Sequence, residues 1–324
     1  MVVEVRLAAP GGAEGLQAVT CDIARPGPGE LLVQQAAVGV NFLDIYHRTG
    51  LYPLPRWPAV LGVEGSGVVE AVGDEVNGFR PGDRIAYAGL PVGGYASARL
   101  LPASRAVPLP DGVPAQLAAA SMLRGLTAHM LLHRVYPVRA GDVLLVQAAA
   151  GGLGQILTRW AKRLGASVIA TVGSEAKVAV AQKAGADHVL LHCGADLVEQ
   201  VRALTGGQGV HFAYDGIGGG MLRQTLACVR PFGMAASLGQ AGGPIPPLDV
   251  NELGPLRPIT LSRPSVIAYA NEPDTYRAAA ADLFAALADG LHVPAGAEYP
   301  LADAARAHLD LEAGHTMGGV LLVP

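Results

Sequence analysis

The stretch VQAAAGGLGQILTRWAKRLGASVIATVGSEAKV (residues 146–178) decides the fold. Read with the three residues before it, VLLVQAA (143–149) is a nearly continuous apolar run, the texture of a strand buried on both faces of a parallel sheet. A glycine turn, AAGGLG (149–154), follows it. Leu153, Ile156, Leu157, Trp160, Ala161 and Leu164 then recur at helical spacing and give one apolar face. A second strand, SVIATV (167–172), and a further helix from Ser174 complete a strand–helix–strand unit. Such a unit aims backbone N–H groups and the positive end of a helix dipole at one point, where a pyrophosphate is received. A glycine turn alone also serves tight strand-to-helix connections. The complete unit favours a dinucleotide, held through Ala150, Gly151, Gly152, Leu153 and Gly154. The motif is A-x-G-x-x-G, with Ala149 in the place of the usual first glycine.

The tip of the second strand selects the dinucleotide. NAD-preferring sites place a carboxylate there to accept from the adenosine ribose. This strand ends in Thr171, Val172 and Gly173, with Ser174 and Lys177 opening the next helix. A hydroxyl, free helix N–H groups and a cation suit a 2′-phosphate. Lys177 is one of three lysines in the chain. Glu175 lies at the distance expected of a ribose-binding acid and is read instead as a solvent-facing carboxylate of a first helical turn. Lys177 also admits the plain reading of a solvated helix lysine. One charge-assisted contact is worth roughly 1.5–3 kcal/mol, which favours NADPH over NADH by about tenfold or more. NADPH is the expected cofactor.

The rest of the chain frames this centre. With 324 residues, 51% hydrophobic and 15% charged, it is long enough for two domains with well-buried cores. A net charge of −4 and the lack of a basic stripe argue against nucleic acid as the main partner. Cys21, Cys193 and Cys228 lie far apart, which fits a reducing compartment and excludes a four-cysteine zinc lobe. The N-terminus has no signal-peptide pattern, and no apolar run reaches the roughly 18 residues that span a bilayer. A cytoplasmic protein without a membrane partner is expected. Up to about Arg124 the chain reads as short β runs broken by glycine and proline, among them residues 30–40, 67–73 and 83–89. From there to about residue 264 strands and helices alternate. Residues 241–258 read as an irregular, proline-rich segment. Two helices near 272–291 and 301–314 precede a last strand, GGVLLVP, expected to pair back into the first domain because it has no partner of its own.

VNFLDIYHRTGLYP (40–53), GVEGSGVVEAVGDEVNGFRPGDRI (62–85) and VLLVQAAAGGLG (143–154) together resemble the zinc-free quinone oxidoreductases. These are the zeta-crystallin-like branch of the medium-chain dehydrogenase/reductases. The resemblance continues through YDGIGG (214–219), LSRPS (261–265) and the closing strand. It implies an α/β fold, with a central Rossmann doubly wound parallel sheet plus a GroES-like β-barrel catalytic domain. The barrel would comprise 1–124 and 265–324, and the NADPH-binding domain 125–264. The resemblance further implies a homodimer and a small quinone or enone as substrate.

The same resemblance assigns residues. Asn41, Tyr46 and Tyr52 match positions around the nicotinamide and the acceptor. Asn41 would bond near the cofactor ribose or the acceptor, and either tyrosine would donate to a developing hydroquinone or enolate oxygen. Both tyrosines also admit a packed, structural role. Thr127, Leu238, Gly239 and Arg263 match positions that hold the nicotinamide amide and the phosphates. Thr127 is alternatively a helix cap, and Arg263 a surface charge at a dimer edge. His192 stands where a tyrosine is common near the adenosine phosphate, Gly216 where a serine is common, and Gln240 where an asparagine is common. Zinc-dependent relatives carry a cysteine at Asp44 and a histidine–glutamate pair at Val63 and Glu64. One carboxylate pair does not close a tetrahedral zinc site, so no metal is expected. His129 and His133 have helical spacing but no acidic partner nearby.

Three functions remain open at this point. The first is an NADPH:quinone reductase, in which a quinone accepts hydride without a Lewis acid. The second keeps the fold and cofactor but reduces an α,β-unsaturated ketone, aldehyde or enoyl thioester. An acyl-CoA would want a basic entrance, for which Arg48, Arg56, Arg99 and Arg124 are candidates. The third is a non-catalytic NADPH-binding protein.

Overall fold

The computed structural model describes all residues except 193–195, 256 and 292–294. Cys193 lies outside the described residues. The chain forms two units, Met1–Leu126 with Val266–Pro324, and Thr127–Ser265. In chain order the first unit supplies β1 (Val2–Leu7), β2 (Gln17–Cys21), β3 (Glu30–Val40), α1 (Phe42–Thr49), β4 (Ala59–Val60), β5 (Glu64–Val72), β6 (Arg84–Ala88), β7 (Ala98–Pro102) and β8 (Val107–Pro108). The second supplies β9 (Val143–Val146), α2 (Gly152–Arg163), β10 (Ser167–Val172), α3 (Val178–Lys183), β11 (His188–Leu191), β12 (Val210–Asp215), β13 (Val229–Ser237) and β14 (Thr260–Ser262). The chain then returns to the first unit through the helix Pro273–Ala288, β15 (Ala295–Pro300) and β16 (Gly319–Val323).

The second unit is a six-stranded sheet in the order β11-β10-β9-β12-β13-β14, and every ladder is parallel. Numbered within the unit, this is 3-2-1-4-5-6, the doubly wound dinucleotide order, with its reversal between β9 and β12. Leu145, Ile169 and Ala213 on neighbouring strands are buried in one core cluster with Val201 and Leu226 from helices. Parallel strands need crossovers on both faces, which is why these strands read as unbroken apolar runs.

In the first unit β3 is the organising strand. It pairs antiparallel with β5 along most of its length, and also with β7 over residues 30–34 and with β16 over residues 38–40. The larger sheet runs β15-β16-β3-β5-β6-β8, and a smaller one runs β2-β1-β4. Tyr95 is buried in the cluster that joins Val5 and Leu7 of β1 to Val38 and Val40 of β3 and Val320 and Leu322 of β16.

Several expectations need correction. The strand at 143–149 stops at Val146 because Ala148 takes φ +51, a left-handed conformation that ends the ladder. The helix expected from Ser174 begins as a 3-10 turn, Glu175–Lys177, before α3. The strand at 67–73 starts earlier, at Glu64. The region read as β runs also contains α1, whose start is signalled by the N-x-x-D spacing of Asn41 and Asp44, a capping box. The last strand does have a neighbour from its own end of the chain, since β15 runs parallel beside it, and it also joins β3.

Candidate functional site

Apart from Thr127, the cofactor candidates of the second unit follow the carboxyl ends of its parallel strands, where open α/β sheets take ligands. After β9 the chain turns at Ala148, and Gly151 N donates to Ala148 O across 2.9 Å. Gly151 then caps α2, and no side chain occupies that cap. The first N–H groups of a helix have no partner within it, so Gly152, Leu153 and Gly154 present donors at this end. A Cβ on Gly154 would lie 2.5 Å from Ala148 O and 2.6 Å from Ala149 Cα, so only glycine lets α2 sit this close to its turn. Gln155 Nε2 secures the same loop by donating to Ala150 O at 2.9 Å.

At the tip of β10, Gly173, Ser174 and Glu175 are exposed, and Lys177 is half-buried. His192 follows β11 beside them, and a Cβ on Gly173 would touch its Cε1 at 3.1 Å. The His192 ring Nδ1 is buried without a hydrogen-bond partner. Burial, and secondarily the Lys177 charge, push the imidazole below its ordinary range, so it is neutral near pH 7. An ammonium, an unpartnered ring nitrogen and exposed loop N–H groups suit a phosphate monoester, and with the α2 terminus they fit a phosphorylated dinucleotide.

The end of β12 adds Asp215, which the sequence reading did not single out. Asp215 is buried, and its Oδ1 accepts from Ile217 N and Gly218 N at 2.9 Å each, while Oδ2 is left without a partner. Leu238 N donates to Asp215 O at 2.9 Å. A Cβ on Gly239 would overlap Gly216 O, so the two loops pack backbone on backbone. Asp215 was legible only as a strand end, because its partners are main-chain groups. Arg263 is exposed, with Nη1 3.2 Å from Ser237 Oγ. Thr127 lies inside the helix Met122–His129 and is buried, so it is not a helix cap.

The first unit holds Asn41, Tyr46 and Tyr52 together on α1 and the turn after it. Asn41 is buried at the head of α1, its N–H donating to Asp44 Oδ2 at 2.8 Å and its Nδ2 to Glu64 Oε1 at 2.6 Å. One hydrogen of that amide is therefore committed. The Tyr46 and Tyr52 rings meet edge to face with centroids 5.3 Å apart, and Phe42 packs against Tyr46 at 6.2 Å. Tyr52 N donates to Tyr46 O, and Tyr52 O stands 3.0 Å from His47 Nδ1, which fixes the turn.

Glu64 is fully buried. Besides Asn41 it receives Leu123 N at 2.6 Å and Arg124 Nη1 at 3.4 Å. Burial pushes its carboxyl up, and Arg124 and these donors oppose that. Both carboxylates at the zinc-relative positions are thus engaged as acceptors within the protein. Among the described residues no group of three or more His, Cys, Asp or Glu is placed to hold a metal. The His129 and His133 rings lie 4.5 Å apart, each edge-on to Trp160. Of the four arginines considered for a basic entrance, three are buried and committed elsewhere. Arg48 pairs with Glu312, Arg99 with the carbonyls of Pro91, Val92 and Leu100, and Arg124 with Glu64, Val40 and Ala120; Arg56 is exposed.

Among the described residues, no helix is long and apolar enough to cross a membrane. The pattern of the alcohol dehydrogenase GroES-like domain matches residues 27–111, and that of the zinc-binding dehydrogenase matches residues 152–286. The chain is 39% identical to the quinone oxidoreductase of Pseudomonas aeruginosa over the whole of both proteins. It is 38% identical to the 2-haloacrylate reductase of a Burkholderia species, covering 100% of this chain and 99% of that one. The crystal structure of Escherichia coli quinone oxidoreductase complexed with NADPH superposes with a TM-score of 0.96 at 38% identity, covering 99% of this chain and 100% of that one. With both domain patterns in sequence and relatives matched along their full length, the chain belongs to the zinc-free quinone oxidoreductases of the medium-chain dehydrogenase/reductase superfamily.

Proposed function

We propose that the chain is an NADPH-dependent quinone reductase that works without a metal. The observation that carries this reading is the full-length similarity to a quinone oxidoreductase solved with NADPH. The unit Thr127–Ser265 is assigned to the nucleotide. In it the N–H groups of residues 150–154 receive the pyrophosphate. Gly173, Ser174, Lys177 and His192 take the 2′-phosphate, and Thr127, Leu238, Gly239 and Arg263 orient the remainder. The unit Met1–Leu126 with Val266–Pro324 is assigned to the acceptor. Bound NADPH supplies the hydride. Asn41 keeps one amide hydrogen for the acceptor or the cofactor ribose, and Tyr46 and Tyr52 offer phenols toward the oxygen that gains charge. The edge-to-face packing of the two rings holds both phenols in fixed orientation.

A second reading is favoured by one observation, the 38% identity to a 2-haloacrylate reductase, whose substrate is a conjugated alkene. An enone or unsaturated acid would need the same phenols to protonate an enolate. A CoA thioester gains no support, because three of the four candidate arginines are buried away from solvent. We further propose a cytoplasmic homodimer. Two of its cysteines, Cys21 and Cys228, are free thiols. β14 stands at the end of its sheet, an edge able to continue into a second copy.

The test is NADPH consumption by the purified protein with a small benzoquinone, an enone and a 2-enoyl thioester, repeated with NADH. Fast turnover of the quinone and little with NADH supports the first reading. Turnover of the enone alone moves the acceptor to the second. Tight NADPH binding without turnover leaves a non-catalytic binding protein.

A further inference from the structure

The two ends of the Asn41 amide have nearly the same size and shape, so only hydrogen-bond partners decide which end points where. One partner is Glu64, the fully buried first residue of β5. Its carboxylate meets three donors. Oε1 accepts from Asn41 Nδ2 at 2.6 Å and faces Arg124 Nη1 at 3.4 Å, and Oε2 accepts from Leu123 N at 2.6 Å. Room for the carboxylate comes from β3, where a Cβ on Gly39 would overlap Glu64 Oε1.

Leu123 N and the Arg124 guanidinium can only donate. Asn41 alone among the three can turn over and offer an oxygen instead. A carboxylate has no hydrogen to give, so it leaves Asn41 one sense, with the nitrogen toward Glu64. Asp44 N does not oppose that sense, because it already donates to the Asn41 carbonyl at 3.0 Å.

We propose that Glu64 is a positioning residue that fixes the sense of the Asn41 amide, so that turnover depends on Glu64 through Asn41. The catalytic part of this inference rests on the reading above that Asn41 serves the acceptor or the cofactor ribose; the structural part does not. Glu64→Gln reverses the logic with little change of shape. Glutamine carries one oxygen and one NH2 group. With the oxygen kept on Leu123 N, the NH2 group lies where Oε1 was and faces the Asn41 nitrogen, donor against donor. Arg124 keeps its bonds to Ala120 O and Val40 O. Asn41 relieves the clash by turning over, and its nitrogen leaves the position it holds in wild type.

The test reads the side-chain NH2 protons of Asn41 by NMR, in ligand-free wild type and Glu64→Gln. In wild type one of the two is bonded to a carboxylate, so their resonances should lie far apart. In Glu64→Gln they should move together. Closely spaced resonances in wild type, or an unchanged pair in Glu64→Gln, overturn the proposal. With NADPH and benzoquinone, at a temperature well below melting, kcat of Glu64→Gln should fall by roughly tenfold, the worth of one hydrogen bond. The same substitution in an Asn41→Ala background should change kcat by less than about twofold, because the residue it acts through is gone. Equal losses in both backgrounds are what a purely structural Glu64 gives, and they overturn the catalytic part. So does an undiminished kcat in Glu64→Gln. If Glu64→Gln does not fold, Glu64→Asp, which withdraws the carboxylate by one methylene, takes its place in both measurements. If benzoquinone is not turned over at all, the activity reading has failed, and the Asn41 resonances still decide whether Glu64 fixes the amide.

Discussion

Asn41 Nδ2 donates to Glu64 Oε1 across 2.6 Å, and both side chains are buried. This bond ties the head of α1 to the first residue of β5, and Arg124 rests on the same carboxylate at 3.4 Å. Glu64 is thus the fixed point that holds the head of α1, Leu123 and Arg124 together. Its replacement by alanine would leave the Arg124 guanidinium buried with its anion removed. Breaking a buried pair from one side costs about 3–5 kcal/mol. Glu64→Ala should lower the urea midpoint accordingly. Glu64→Gln, which keeps an acceptor for Leu123 N, should lose clearly less. Equal losses would mean that the charge, which both variants remove, carries the whole effect and the retained acceptor none.

Much of the second unit was legible because its signals are local. An apolar run, a glycine turn and a 3.6-residue stripe lie side by side in residues 143–164, and the structure places β9, the loop and α2 there. The closing strand was legible as an apolar run needing a sheet. What stayed hidden depends on long-range register. Glu64 meets Asn41 from 23 positions away, and Tyr95 meets His308 from 213, and no spacing in the chain announces either. Asp215 was hidden for another reason, because the one carboxylate oxygen that is held is held by backbone N–H groups that carry no sequence signature. The start of α1 was readable in the Asn41–Asp44 spacing, but the surrounding β texture masked it.

Gly154 answers to close packing rather than to backbone conformation. A methyl group there meets Ala148 O at 2.5 Å and Ala149 Cα at 2.6 Å, both backbone atoms that cannot rotate away. Gly154→Ala should push α2 from its turn, at a cost of about 1–3 kcal/mol. The same shift displaces the N–H groups of the loop, so NADPH affinity should fall together with thermal stability. A variant with wild-type melting and wild-type affinity would remove the loop from the cofactor site.

Under the proposed reading, Lys177 would separate the two nicotinamide cofactors. Deleting one charge-assisted bond to the 2′-phosphate costs roughly 1.5–3 kcal/mol, or about 10- to 150-fold in Kd. Lys177→Ala should weaken NADPH by that factor in a fluorescence titration and leave NADH nearly unchanged. Equal weakening of both would place Lys177 outside the phosphate site.

On the same reading, His192 would give that phosphate a pH signature. The free imidazole is held below its ordinary range by burial and by Lys177. A group depressed in this way contributes stability above its unfolded value of about 6.5 and loses it as pH falls through the folded value. A phosphate dianion beside the ring reverses the bias and draws a proton onto it. NADPH affinity should therefore rise as pH is lowered from about 8 to 6.5, with proton uptake measurable by calorimetry in buffers of different ionisation enthalpy. NADH, and NADPH with His192→Gln, should show neither effect.

Asp44 and His308 pull the stability of the free protein in opposite directions across one range of pH. The Asp44 carboxyl is raised to about 7, so its contribution is complete below the unfolded value of 3.8 and is lost as pH climbs toward 7. His308 is lowered to about 3, so its contribution is complete above 6.5 and is lost as pH falls toward 3. At about 1.4 kcal/mol per unit, the two ceilings are about 4 and 5 kcal/mol. Between about pH 4 and 6.5 each group changes the proton balance of unfolding by one, with opposite sign, so the wild-type slope nearly cancels. Asp44→Asn should expose the histidine limb, with a melting temperature that rises with pH over this interval. His308→Gln should expose the carboxyl limb, with a melting temperature that falls. Two flat profiles would mean that neither group is held away from its unfolded protonation state.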